Sequence, residues 1–220
     1  MLQSILALLE HNPGGHQFQF DIRFNESLIS RVRNAQATAF LATDADYLLS
    51  IDADLSFPSD AVARLVRHDL DIVGAPYVSK KFPPRWLVYF PDQVPSYVAG
   101  VMEVKYAPTG FLLVKRSVFE RLVDHCPSYL TNGVRQHGFY LPFIHDDLYQ
   151  GEDYAFCQRA RERGFKINVD FDLELKHYGI TPLWMKERVG YAGSDNALAS
   201  ITHGIEDLVG RINRIQQLAP

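Results

Sequence analysis

The stretch Tyr47-Leu-Leu-Ser-Ile51, followed at once by Asp52-Ala-Asp54, constrains the fold of this chain more than any other segment. An almost wholly apolar run of this length is what a central parallel strand, covered on both faces, requires. Two carboxylates one residue apart at its carboxyl end stand where open α/β sheets bind their ligands. Their mutual repulsion disfavours ionising both unless a cation offsets it. Oxygen donors of this kind suit Mg2+ or Mn2+, which can bridge protein carboxylates to a diphosphate and neutralise a phosphate leaving group. A pair of helix-capping or solvated acids is the plainer alternative, but a buried strand has no need of two acids at its tip.

The segments around this strand alternate in type. Leu2 to Glu10 predicts a short helix with apolar positions 2, 5, 6 and 9, broken by Asn12-Pro13-Gly14-Gly15. Phe18, Phe20, Ile22 and Phe24 alternate with polar neighbours and predict a strand over Gln17 to Phe24. A helix is expected from Ser27 to about Thr43, capped by Asn25 or Ser27, another from Ser59 to His68, and a buried strand from Asp71 to Ala75. This alternation implies an α/β fold with a mainly parallel central sheet flanked by helices.

Beyond Tyr77 the prolines at 83, 84, 91, 95 and 108 punctuate short stretches. Trp86 to Tyr89 and Glu103 to Tyr106 read as mixed or antiparallel strands, and Phe111 to Val114 as a strand leading into a helix over Ser117 to Asp124. Residues 127–150 look like a long aromatic-rich loop, of the sort that is usually functional or mobile. Glu152 to Arg163 is a helix ending at Gly164, and Lys166 to Phe171 and Leu173 to His177 are strand candidates. Ala197 to Leu218 closes the chain as an amphipathic helix, with Ile201, Ile205, Leu208, Ile212 and Ile215 on one face.

Composition excludes several classes. With 220 residues one α/β domain is expected over residues 1–220, with a nucleotide- and metal-binding half (1–76), an acceptor half (77–180) and a C-terminal loop and helix (181–220). A net charge of −4 does not suggest a strongly electrostatic nucleic-acid or membrane binder. The basic residues Lys80, Lys81 and Arg85 could meet phosphate, and read more simply as solvated surface. Two cysteines, Cys126 and Cys157, make neither a disulfide framework nor a zinc spacing and read as thiols of a reducing compartment. No apolar run approaches the about 18 residues of a membrane span. MLQSILALLE lacks the basic start of a signal peptide, so a cytoplasmic protein is expected.

A lone Asp-x-Asp is a weak signal, but here it has company. Asn25-Glu-Ser-Leu-Ile-Ser-Arg31-Val-Arg33-Asn34 precedes it and Asp71-Ile-Val-Gly-Ala75 follows. Then come Ala107-Pro-Thr109-Gly110, Gly151-Glu152-Asp153 and Leu173-Glu-Leu-Lys-His177-Tyr-Gly179. From Asn25 to Gly179 this order of blocks resembles the family 2-like GT-A glycosyltransferases, and is similar to their compact bacterial and phage members.

The resemblance implies a GT-A fold and transfer of a sugar from a UDP- or GDP-linked donor to a hydroxyl of a glycan or other acceptor. Nucleic acid enters only if the acceptor is a modified base. It implies Mn2+ or Mg2+ held by Asp54, with Asp52 contacting the ribose or the metal and His177 completing the coordination. Arg31, Arg33 and Asn34 match the block that contacts or supports the nucleotide, and Thr109 and Gly110 the turn beneath the donor sugar. Asp153, of the Glu152-Asp153 pair, matches the catalytic base of inverting members. A carboxylate in the first helical turn after Gly151 also makes physical sense as that base, since the helix dipole stabilises its charged form.

The pattern further implies a strand and turn walling the nucleobase ahead of the first helix. Met1 stands at the start of that helix, so the sheet is expected to lack its first strand. Two other readings stay open. In a phosphohydrolase Asp52 would be the nucleophile, Asp54 its acid/base partner, and Asp146 and Asp147 the late metal-binding acids. In a degenerate, non-catalytic binding module the fold would remain without the chemistry.

Overall fold

The computed structural model describes residues 1–92, 95 and 97–179, together with the backbone of 182–183. These lie in one compact unit, Met1–Lys186. The helix expected over Ala197 to Leu218 lies outside the described residues.

In chain order the elements begin with helices α1 (Leu2–His11) and α2 (Ile29–Leu41), then strands β1 (Tyr47–Ile51) and β2 (Leu55–Ser56). Helix α3 (Ala61–Arg67) is followed by strands β3 (Ile72–Gly74), β4 (Tyr97–Val98), β5 (Val101–Val104) and β6 (Phe111–Lys115), and by helix α4 (Arg116–Leu122). Strands β7 (Ser128–Thr131), β8 (Val134–His137), β9 (Phe143–His145) and β10 (Leu148–Gln150) come next. Helix α5 (Glu152–Glu162) precedes strands β11 (Ile167–Asp170), β12 (Lys176–Tyr178) and β13 (Pro182–Leu183).

The central sheet has six strands in the order β1-β6-β3-β11-β5-β4. It is mixed, which corrects the expectation of a mainly parallel sheet. Strand β6 inserts between β1 and β3 and runs antiparallel to both, and β5 is antiparallel to both β11 and β4. Among the described residues only β3 and β11 pair in parallel. The helix–strand alternation sets β1 and β3 running in the same direction, but it carries no information about a later strand returning between them.

Strand β6 is covered on both faces. Leu112 and Val114 point into a core built with Phe40 of α2, Phe119 of α4 and Phe156 of α5. Phe111 and Leu113 point into a second core with Leu8 of α1 and Ala61 and Leu65 of α3. Each fully buried side chain of this size contributes roughly 1.5–3 kcal/mol. Strand β1 instead lies at the sheet edge among the described residues, and all five of its residues are half-buried.

Other expectations change for local reasons. Gln17 to Phe24 forms no strand, and Phe20, Ile22 and Phe24 are exposed. Helix α1 forms as expected, yet it buries Ser4 and Leu8 while Leu2, Leu6 and Leu9 face outward. The Ser4 hydroxyl accepts from the Phe57 N–H at 3.0 Å, which explains its burial. Helix α2 starts at Ile29 with Leu28 in the cap position and no side-chain cap, rather than being capped by Asn25 or Ser27. Trp86 and Tyr89 make isolated bridges, to Val78 and Tyr106, instead of a strand. The expected loop 127–150 is two antiparallel hairpins, β7–β8 and β9–β10, whose turns use Asn132-Gly133 and Asp146-Asp147 at positive φ. Asp146 and Asp147 are thus turn-formers.

Candidate functional site

The carboxyl ends of β1, β3 and β11 and the amino end of β6 meet at one end of the sheet. The register pairs Ile51 with Phe111, so the Asp52 N–H donates to the Gly110 carbonyl at 2.8 Å. Gly110 is required by close approach. A Cβ there would lie 2.2 Å from Tyr77 Oη and 2.4 Å from Asp52 Oδ2. Its N–H donates to Tyr77 Oη at 3.1 Å.

Helix α2 sends Arg33 into this corner. Its guanidinium is buried, with Nη2 donating to Asp52 Oδ1 at 2.6 Å and Nε left without a hydrogen-bond partner. Burial by itself lowers the Arg33 pKa, but the charges of Asp52 and Asp153 outweigh it and the net direction is upward. Helix α5, starting at Gly151, presents Asp153 in its first turn. The buried Thr109 hydroxyl donates to Asp153 Oδ1. Burial pushes the Asp153 carboxyl above its ordinary range, against the Thr109 hydrogen bond and the Arg33 charge, which pull it down. A raised pKa makes a carboxylate a stronger base. Glu152 is half-buried beside it, and its charge also pushes Asp153 upward.

Asp54 faces another way. Strand β12 pairs with β2, matching His177 to Leu55, and the Tyr178 N–H donates to the Asp54 carbonyl at 2.8 Å. This sets His177 Nε2 at 3.6 Å from Asp54 Oδ1, a buried oxygen with no hydrogen-bond partner. His177 Nδ1 lies 2.7 Å from the Val78 carbonyl. A carbonyl only accepts, so Nδ1 carries a proton; with the ring in its neutral form, Nε2 would present its lone pair toward Asp54. Two electron-pair donors facing each other fit a cation between them. Lys80 donates to the other oxygen, Asp54 Oδ2.

The structure thus brings Arg33, Asp52, Thr109, Gly110 and Asp153 into one cluster and Asp54 with His177 into a second beside it. Among the described residues no group of three or more His, Cys, Asp or Glu side chains could hold a metal. Asp52 spends Oδ1 on Arg33 and keeps Oδ2, so Asp54 and His177, with Asp52 Oδ2 to one side, are the donors that could hold a divalent ion. Arg31 stays apart, half-exposed and 3.5 Å from Glu26. Asn34 is fully buried. Its Nδ2 donates to Tyr129 Oη at 3.1 Å and its Oδ1 accepts from the Tyr140 N–H at 2.8 Å, so it fastens the β7–β8 region to α2.

Two residues at this site carried little sequence signal. Tyr77 is buried, packs edge-on against His177 with centroids 4.8 Å apart and puts its hydroxyl beside Gly110, linking the two clusters. Burial, then the charges of Asp52 and Asp153, drives its pKa well upward, so the phenol keeps its proton. Lys80 read as solvated surface, and the structure pairs it with Asp54 instead.

No family model matches the sequence, and no curated protein sequence matches it. Sixteen solved chains resemble it in structure. One is the crystal structure of A197 from STIV, with a TM-score of 0.52 and 16% sequence identity over 88% of this chain and 92% of that one. At that identity the likeness speaks for the mixed α/β fold alone. Among the described residues no helix is long and apolar enough to cross a membrane.

Proposed function

We propose that the chain is a glycosyltransferase of GT-A type, moving a sugar from a nucleotide-sugar donor to an acceptor hydroxyl with the help of a divalent cation. The observation that carries this reading is the adjacency of two differently built acids at one strand end. Asp54 Oδ1, without a hydrogen bond, faces Nε2 of His177, while Asp52 and Arg33 stand beside a buried, upward-tuned Asp153. The first arrangement suits a cation and a diphosphate; the second suits a sugar ring and an incoming hydroxyl.

When bound, the cation would neutralise the charge that builds on the departing diphosphate. Asp153 would take the proton of the acceptor hydroxyl as its oxygen bonds to the anomeric carbon and the bond to diphosphate breaks, with inversion. Thr109 orients the carboxylate for that transfer, and Arg33 keeps a positive charge opposite it. Asp52, fixed by Arg33 and the Gly110 carbonyl, is placed for a hydroxyl of the donor.

A thermal-shift panel of UDP, GDP, CDP and their sugars, with Mn2+ and with a chelator, tests the reading. A metal-dependent rise in melting temperature with one nucleotide is expected. No rise in any arm would leave a non-catalytic module. Turnover of an aryl phosphate without turnover of any nucleotide sugar would turn the assignment to a phosphohydrolase.

A further inference from the structure

Lys80 sits on a turn that holds it in place. The Ser79 N–H donates to the Arg85 carbonyl at 2.7 Å, the Arg85 N–H donates to Ser79 Oγ at 3.2 Å, and Val78 bridges Trp86. The turn is anchored beside the site, because the Val78 carbonyl is the group that accepts from His177 Nδ1. One short peptide segment therefore orients the histidine and delivers an ammonium to the carboxylate facing it. Asp54 is divided: Oδ2 goes to Lys80, and Oδ1 faces His177 Nε2 without a hydrogen bond.

We infer that Lys80 is a built-in counter-ion that competes with the divalent cation for Asp54 and is turned toward the diphosphate when that anion arrives. This rests on the cation reading proposed above. A doubly charged ion between Asp54 and His177 stands within a few ångströms of the ammonium, and both draw on the same carboxylate. With the pair part-exposed, at 39% for Lys80 and 38% for Asp54, the repulsion is moderated by water but not abolished. A diphosphate reverses the balance, because it supplies negative charge that the released ammonium can meet. Lys80 thus weakens the cation alone and strengthens the cation–diphosphate pair. Lys81 and Arg85 lie on the same turn, but the ammonium on Asp54 is that of Lys80.

The test uses the full chain and two titrations. Free Mn2+ followed by electron paramagnetic resonance reads the cation alone; calorimetry with magnesium pyrophosphate reads the pair. K80M and K80Q are expected to bind Mn2+ about fivefold more tightly and magnesium pyrophosphate about fivefold more weakly than the native chain. K81M, which removes an equal charge from the next position, is expected to leave Mn2+ binding near native. Shifts of the same sign in both titrations, or equal Mn2+ effects of K80M and K81M, would overturn the role of Lys80. If those results come with Mn2+ binding that is lost in H177A, the cation site itself stands. Absence of Mn2+ binding in every variant would overturn the cation site and this inference together.

Discussion

Arg33 Nη2 donates to Asp52 Oδ1 across 2.6 Å, joining helix α2 to the end of strand β1 through a buried guanidinium. Removing the cation leaves Asp52 beside Asp153 without its counter-charge. Because Asp52 is 31% exposed, water offsets part of the cost. Arg33→Met is expected to destabilise the protein by about 2–3 kcal/mol. Arg31→Met, on the solvent side of the same helix, should stay within about 0.5 kcal/mol. Urea denaturation of the two variants checks the contrast.

Gly110 and Gly151 make a second pair. A Cβ at Gly110 would collide with Tyr77 Oη and Asp52 Oδ2, whereas one at Gly151 meets nothing within 4 Å. Gly110→Ala should cost about 1–3 kcal/mol and abolish any nucleotide-induced rise in melting temperature. Gly151→Ala should keep that rise. Equal behaviour of the two would mean that the corner around Asp52 is not where the nucleotide binds.

The upward shift of Asp153 has a definite sign in a pH experiment. Its folded pKa lies above the ordinary 3.8, because burial penalises the charged form. The folded protein therefore holds this proton more tightly than the unfolded chain, and stability falls as pH rises through the window that begins near 3.8. Asp153→Asn is expected to be more stable than the native protein at pH 7, by a margin that shrinks in acid. Thr109→Val removes a hydrogen bond that lowers this pKa, so the acid limb of the activity profile should move to higher pH. Melting curves from pH 3 to 8 and a pH–rate profile read the two effects.

Asn34 is expected to act on stability and not on ligand binding. Asn34→Ala strands the Tyr140 N–H and the Tyr129 hydroxyl at a cost of about 1–3 kcal/mol. Thermal-shift increments with nucleotide and Mn2+ should be unchanged relative to its own lower baseline. A selective loss of those increments would restore a direct nucleotide role.

His177→Ala should raise the Mn2+ dissociation constant at least tenfold. Direct metal titration reads this without any assumption about substrate. Retained affinity would remove the histidine from the cation site.

Much of the local structure was legible in the sequence. The run Tyr47 to Ile51 is a strand with those bounds, α5 begins at Glu152 as expected, and the acids, histidine and glycine that meet at the sheet end were each marked out by their blocks. Period, turn residues and strand-end carboxylates are local signals, and a linear reading suffices for them. What it could not decide was adjacency. Whether β1 is central or at the edge depends on β6, more than fifty residues later, slipping between β1 and β3. Whether an acid serves a metal or an arginine depends on what packs against it. Asp52 and Asp54 are chemically alike and one residue apart, yet the first is bonded to Arg33 from α2 and the second lies against Lys80 and His177. Asn34 follows Arg33 directly, but points into the core because successive residues on a helix do not share a face. The sequence by itself determined which side chains could take part. Only the tertiary structure divided them between a cluster of Arg33, Asp52, Thr109 and Asp153 and a second of Asp54, Lys80 and His177, because charge and burial at each carboxylate are set by neighbours that the chain brings from far away.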